Sequence, residues 1–304
     1  MKRSCLVLVG AFLAITGVVL AAQRFYPPVR APGVPPPRNG EIAGVISGLF
    51  LWIAVGSLSG VLLRLRQGKL LAASLAGVPP RDGAKVAACG VLVADGPLLA
   101  APLSGTPCVT YDYQISHRTR SGSSSGPAII WHGHGLTPSH VETAAGAVRI
   151  LGCTGFSLGP TSLKGPEVVA RATKFCAETT FAASHWTSIR ASLQNRKELL
   201  ADDDGAIKAD FGAPATRRVD AEDMFEEHVA RDQEEVCAFG RYSAERGGLV
   251  PDPSAVEGFP VILWTGDASR VRRKIALGAI GHLVGALATA AAGAGVLWAW
   301  YTLL

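Results

Sequence analysis

Two short segments of this chain carry side chains that could do chemistry. In Pro102-Leu103-Ser104-Gly105-Thr106-Pro107-Cys108 a hydroxyl and a thiol lie close together, and either could attack an electrophile if a neighbouring base took its proton. No histidine falls within the motif. Gly105 and Pro107 have the composition of a turn, so the segment reads first as a connection between strands, with Cys108 opening the second. The other segment is His132-Gly133-His134. On a strand its two imidazoles project to one face, as a metal site requires, and a third ligand would come from His140, His117 or Glu142. Two ligands do not complete a site, and a polar turn beside Trp131 accounts for the same residues.

A calcium loop is excluded more directly. Asp202, Asp204, Gly205 and Ile207 match interior positions of an EF-hand loop, but Leu200 and Phe211 stand where its first and last carboxylates belong. A hairpin with Gly205 at positive φ accounts for this stretch. The six cysteines, at 5, 89, 108, 153, 176 and 237, include no C-x-x-C pair. That spacing supplies neither a zinc-binding nor a redox dithiol set, and no cofactor is expected.

The elements that must position these residues are set by three apolar runs. Residues 5–22, 42–63 and 275–304 each approach or exceed the roughly 18 residues a membrane-crossing helix needs. The first is a transmembrane helix or, with Lys2 and Arg3 before it and Ala21 and Ala22 at its end, a cleaved signal peptide. Residues 23–41 carry six prolines and read as an extended external loop. Arg64, Arg66 and Lys69 after the second run, and Arg270, Arg272, Arg273 and Lys274 before the third, place residues 64–274 on the cytoplasmic side of an inner or plasma membrane. Arg24, Arg30 and Arg38 in the proline-rich loop run against this assignment. A cytoplasmic domain predicts free thiols, most of them small buried hydrophobes.

The formal charge of +5 is misleading. Between positions 70 and 269 there are 17 Lys and Arg against 23 Asp and Glu, a difference of −6. The basic excess therefore lies beside the apolar runs, where it suits anionic headgroups, and the acidic domain does not suit a nucleic acid.

Within the domain the periodicity is that of strands. Residues 85–93 and 108–116 are rich in β-branched, aromatic and small side chains, and Val109, Tyr111, Tyr113 and Ile115 alternate with polar neighbours. Turns are predicted at Asp95-Gly96-Pro97, Ala145-Gly146 and Asp204-Gly205. Residues 235–242 form a further strand, with Gly240 at a bulge or close approach. The acidic stretch 220–235 reads as a short helix, with Phe225 and Val229 on a narrow apolar stripe, or as an exposed acidic edge. The predicted fold is a mainly β soluble domain, a small antiparallel barrel or sandwich, flanked by transmembrane α-helices. Gly44/Gly48, Gly56/Gly60 and Gly281/Gly285 have the spacing of close helix contacts and permit homo-oligomers. His282 is the one ionisable residue inside an apolar run.

The string from Gly90 through Pro97, Pro102, Ser104, Gly105, Pro107, Cys108 and Tyr111, followed by Trp186, Asp204-Gly205 and a strand containing Gly240, resembles the GIDE or "beside a membrane" domain. That family includes the mitochondrial membrane ubiquitin ligase Mulan and bacterial relatives without a RING finger. The resemblance implies a membrane-anchored β domain and, for the ligases, ubiquitin transfer through a RING. No RING ligand set is present in this sequence, so ligase activity is not expected of it. The motif residues are expected to shape turns and strands. The function expected is a non-enzymatic scaffold or sensor that binds a protein, lipid or small ligand at the membrane, or alternatively an effector that perturbs the bilayer.

Overall fold

In the computed structural model, residues 40–118, 127–152, 154–157, 160–183, 205–212, 218–250 and 261–303 are described. The first apolar run, residues 23–39 of the proline-rich loop, Cys153, Trp186 and Asp204 lie outside them, and residues 40–41 of that loop begin the first helix. The chain divides into a helical unit, Met1–Gly68 with Arg273–Leu304, and a β unit, Lys69–Arg272.

The helical unit is built from the greater part of α1 (Gly40–Leu75) and of α3 (Ala268–Leu303), while the last turns of α1, from Lys69, and the first residues of α3, to Arg272, belong to the β unit. Each helix exceeds the expected run, and the residues it adds include no proline. Their stretches Val45–Leu75 and Ala268–Val296 are long and apolar enough to cross a membrane. Small residues let the two helices approach antiparallel. A side chain on Gly60 would meet the His282 ring at 2.8 Å, one on Gly278 would meet Arg64 at 3.2 Å, and one on Gly293 would meet Phe50 at 3.0 Å. Gly56 and Gly281, expected at close contacts, have nothing within 4 Å. Outward from the pair point Leu62, Ile280, Val284 and Leu287, each more than half exposed.

The β unit holds two sheets. In the first, β1 (Lys85–Ala94), β6 (Ser139–Thr143), β7 (Gly146–Ile150), β14 (Gly248–Val250) and β13 (Glu235–Ser243) follow one another, and β1 pairs back onto β13 to close a five-stranded barrel. Closure removes sheet edges. β15 (Val261–Thr265) and β8 (Thr154–Phe156) extend the sheet from β13. Leu92, Val141, Ile150, Leu249 and Leu263 are fully buried in its core. The β6–β7 hairpin turns where predicted, with Gly146 at φ 116 and the Thr143 hydroxyl donating to the Gly146 carbonyl at 2.7 Å. The pairing is not wholly antiparallel, since β14–β7 and β15–β8 are parallel.

The second sheet runs β10 (Ala182–Ala183), β11 (Ile207–Gly212), β5 (Pro127–Leu136), β4 (Thr110–Arg118), β12 (Met224–Ala230), β9 (Thr161–Leu163). One face is covered by α2 (Pro166–Glu178), whose Val168 and Ala172 are buried. Tyr111, Tyr113 and Ile115 fall on that face as their alternation predicts. Their rings need room, and Gly135 and Gly133 stand opposite Tyr111 and Tyr113 in the register to give it. A two-stranded ribbon, β2 (Leu99–Ala100) with β3 (Pro107–Cys108), carries the Ser104 turn.

Three expectations are corrected. Residues 224–230 form strand β12 rather than a helix, because pairing with β4 along seven residues supplies the backbone partners and buries Phe225 and Glu227 on one side. That arrangement overrides a weak helical stripe. Gly240 sits in unbroken register opposite Val86, with no bulge; the irregularity among these pairings is between Ile115 and Ser116. Finally, Cys89 and Cys237 are not independent thiols. They face each other across β1 and β13, with Cα atoms 4.1 Å apart, and form a disulfide. In a reducing compartment the same two sulfurs would stand as facing thiols.

Candidate functional site

The Pro102–Cys108 motif is a turn held from outside the motif. Gly105 adopts φ 74, which only glycine takes without strain. Ser104 donates its hydroxyl to Thr106 Oγ1 at 2.9 Å. The strand that sequence reasoning missed supplies the main tie: Glu227 of β12 accepts the Leu103 N–H at 2.8 Å and the Ser104 N–H at 3.0 Å. Glu227 is only 3 % exposed. Burial pushes its carboxyl up, while the Ser104 hydroxyl and the Leu103 and Ser104 amides pull the other way. From α2, Arg171 donates to the Ser104 carbonyl at 2.8 Å. The Ser104 hydroxyl thus has beside it a carboxylate that comes from outside the motif, which has no histidine of its own.

That carboxylate is occupied, since each of its oxygens accepts a backbone N–H. Cys108 is fully buried, and desolvation, reinforced by the charge of Glu227, pushes its thiol up to about 12. A thiol held protonated is a poor nucleophile. The other motif residues shape the same region. Thr137 donates to the Pro97 carbonyl at 2.8 Å, Pro102 lies between buried Ala101 and Leu103, and Pro107 pairs with Ala100. Gly90 has no room for a side chain, because a Cβ there would fall on the Glu142 carbonyl.

The histidines are distributed rather than gathered. His132 and His134 do share a face of β5, but His132 stacks on Phe211 at 5.2 Å and His134 Nε2 accepts the Thr154 N–H at 3.3 Å. His140 bonds Asp95 at 2.8 Å, and His117 bonds Asp223 at 2.8 Å. Among the described residues no three His, Cys, Asp or Glu are placed to hold a metal ion.

One polar site was not legible in the sequence. A cleft of about 510 Å³ lies between the end of α2 and strands β10 and β11, lined by Glu178, Thr180, Lys208, Asp210 and Phe211. Tyr113 donates its hydroxyl to Asp210 Oδ1 at 2.9 Å. Burial raises the Asp210 carboxyl above its ordinary 3.8, partly opposed by the Tyr113 hydrogen bond. The Tyr113 hydroxyl is raised by burial and by Asp210, and the nearby Cys176 thiol is pushed up to about 12. The only sequence signal was a pair of opposite charges, Lys208 and Asp210, inside a strand pattern.

This gives a pH prediction. A carboxyl whose folded pKa is raised favours the folded state below the unfolded value, and that advantage is lost as pH rises through the folded value. Asp210 should therefore make the parent less stable on going upward from 3.8, while Asp210→Asn, which cannot ionise, shows a flatter dependence. Denaturant melts at about pH 4 and about pH 7 compare the two. Parallel curves for parent and variant would remove Asp210 as the cause.

No family model matches this chain, and neither does any curated protein or solved structure.

Proposed function

We propose that this protein is a membrane-anchored binding module of the GIDE-like type, a scaffold or ligand sensor whose β unit is displayed on the cytoplasmic side. The observation that carries this reading is the apolar side chains left exposed along both long helices, from Val45 to Leu63 and from Leu277 to Leu287. Water would penalise that surface heavily and lipid would not. A stretch of 31 residues in α1 is about 46 Å long, enough for a hydrocarbon core of about 30 Å. Binding is favoured over catalysis because Ser104, Cys108 and Glu227 are bound into a turn or buried. The acidic balance of the domain argues against nucleic acid. Gly56 and Gly281, open on their helices, could seat a second copy.

A second reading has one observation in its favour. Helix α1 continues without a break to Leu75, where Leu71 is 1 % exposed and Ser74 accepts the Cys89 N–H at 3.0 Å. A change in the barrel could therefore act on that helix, as an effector that rearranges its spans requires. Conductance across reconstituted liposomes tests this alternative.

The test of the leading reading has two parts. Alkaline carbonate should leave the protein in the membrane pellet, and an impermeant maleimide should fail to reach Lys174→Cys, an exposed position on α2, until the cells are opened. Release by carbonate would sink the anchoring, and labelling of intact cells would reverse the topology.

A further inference from the structure

We propose that the groove between the last turns of α1 and strand β1 binds one anionic phospholipid of the surrounding bilayer, its apolar wall taking part of an acyl chain and Arg81 and Lys85 facing the phosphate. The inference rests on the membrane-anchored reading above and names the ligand class and place that it left open.

The groove is lined by Leu70, Ala73, Val78, Ala88 and Val148, with Arg81 and Lys85 among its polar residues, and no carboxylate lines it. The adjacent Asp82 is engaged elsewhere, accepting the Ala244 N–H at 2.9 Å. Arg241 adds positive charge beside the same turn, donating to the Gly83 carbonyl at 3.2 Å. An apolar trough with cationic groups matches an amphiphile with a negative head. It does not match a neutral one as well, nor a polar metabolite.

Exposure marks the same place. Among the described residues of the β unit, the large apolar side chains left exposed are Leu75, Val78 and Leu98, and the first two flank this groove at 51 % and 53 %. Its volume is about 210 Å³, below the roughly 300–1,000 Å³ of sites that enclose a whole drug-sized ligand. A segment of an acyl chain fits, with the rest of the lipid remaining in its leaflet.

The position along α1 supplies the source. The apolar run ends at Leu63 and the groove begins at Leu70, after Arg64, Arg66 and Lys69. Seven residues of helix advance about 10 Å. Headgroups occupy a layer of roughly 5–8 Å on each side of the hydrocarbon core, so the groove opens just past that layer and a lipid needs to rise a few ångströms, lifting its head and part of one chain.

The test uses the full chain in phosphatidylcholine nanodiscs containing a small share of phosphatidylglycerol with a diazirine in its acyl chain. After irradiation, adducts are mapped by mass spectrometry. The expected result is labelling within residues 70–88 in addition to the apolar runs. It should fall about tenfold in the Arg81→Glu/Lys85→Glu double variant, as expected for two cations at an anionic surface. It should also fall in Ala145→Trp, which places an indole in the groove from the exposed β6–β7 turn. Adducts between positions 45 and 58 should stay at the parental level in both variants. Because the charge-reversal variant could misfold, the tryptophan variant is an independent check, and both are compared with the parent by thermal melting. The inference is overturned by helix adducts without groove adducts, by equal groove labelling with a phosphatidylcholine probe, or by folded variants that label like the parent. Absence of adducts from the helices as well would overturn the membrane reading, and this site with it.

Discussion

Gly90→Ala should destabilise the β unit by about 3–4 kcal/mol, among the larger costs a single substitution imposes. The added methyl would fall on the backbone carbonyl of Glu142, in β6. A side chain could rotate away from such a clash, but a hydrogen-bonded strand cannot. Gly90 is opposite Thr143 in β6 and Val236 in β13, so moving β1 away from one neighbour disturbs its pairing with the other. The barrel closes through this strand, and the damage should spread to its core. Gly146→Ala is the matched control: that glycine has φ 116 but nothing within 4 Å, so it carries only a torsional penalty, about 1 kcal/mol. Denaturant melts of the two variants beside the parent measure the difference. A Gly90→Ala midpoint at or above that of Gly146→Ala would contradict the crowding argument.

The second large effect is expected at Glu227. Removing its carboxylate with Glu227→Ala leaves the Leu103 and Ser104 amides without their acceptor. Each such loss costs about 1–3 kcal/mol, and about 3 kcal/mol in total is expected because Ser104 retains some access to water. Glu227→Gln keeps one oxygen acceptor but turns an amide donor toward the other N–H, so it should fall between parent and alanine. Ser104→Ala loses only a hydroxyl contact with Thr106 and Glu227 and should cost less than either. The order of the three midpoints, with alanine at 227 lowest, identifies a structural carboxylate. A Glu227→Ala protein that melts like the parent yet loses a cellular activity would make Glu227 a working base beside Ser104, and catalysis would then replace the binding reading.

How much of this was legible in the sequence differs from one element to the next. β4 and the β6–β7 hairpin were readable because period-two alternation and a turn glycine act over a few residues. The Ser104–Pro107 turn was readable for the same reason, since Gly105 requires its φ whatever surrounds it. Residues 224–230 were misread because Phe225 and Val229 satisfy helical and strand spacing alike. What settles the strand is β4, more than a hundred positions away, together with amides at Leu103 and Ser104 that give a buried glutamate a reason to be there. The histidines show the same division. Alternation placed His132 and His134 on one face, but their actual neighbours, Phe211 and the Thr154 amide, come from other strands.

The sequence by itself determined two long apolar helices beside an acidic, strand-rich domain, because hydrophobic length, charge balance and local periodicity are properties of contiguous residues. Only the tertiary structure decided that β1 returns to β13 to close a barrel, that Cys89 meets Cys237 across 148 residues, and that Glu227 and Asp210 are buried acids. These depend on register between distant strands, where a shift of one residue turns every side chain to the opposite face, and no local pattern records which partner a strand will find.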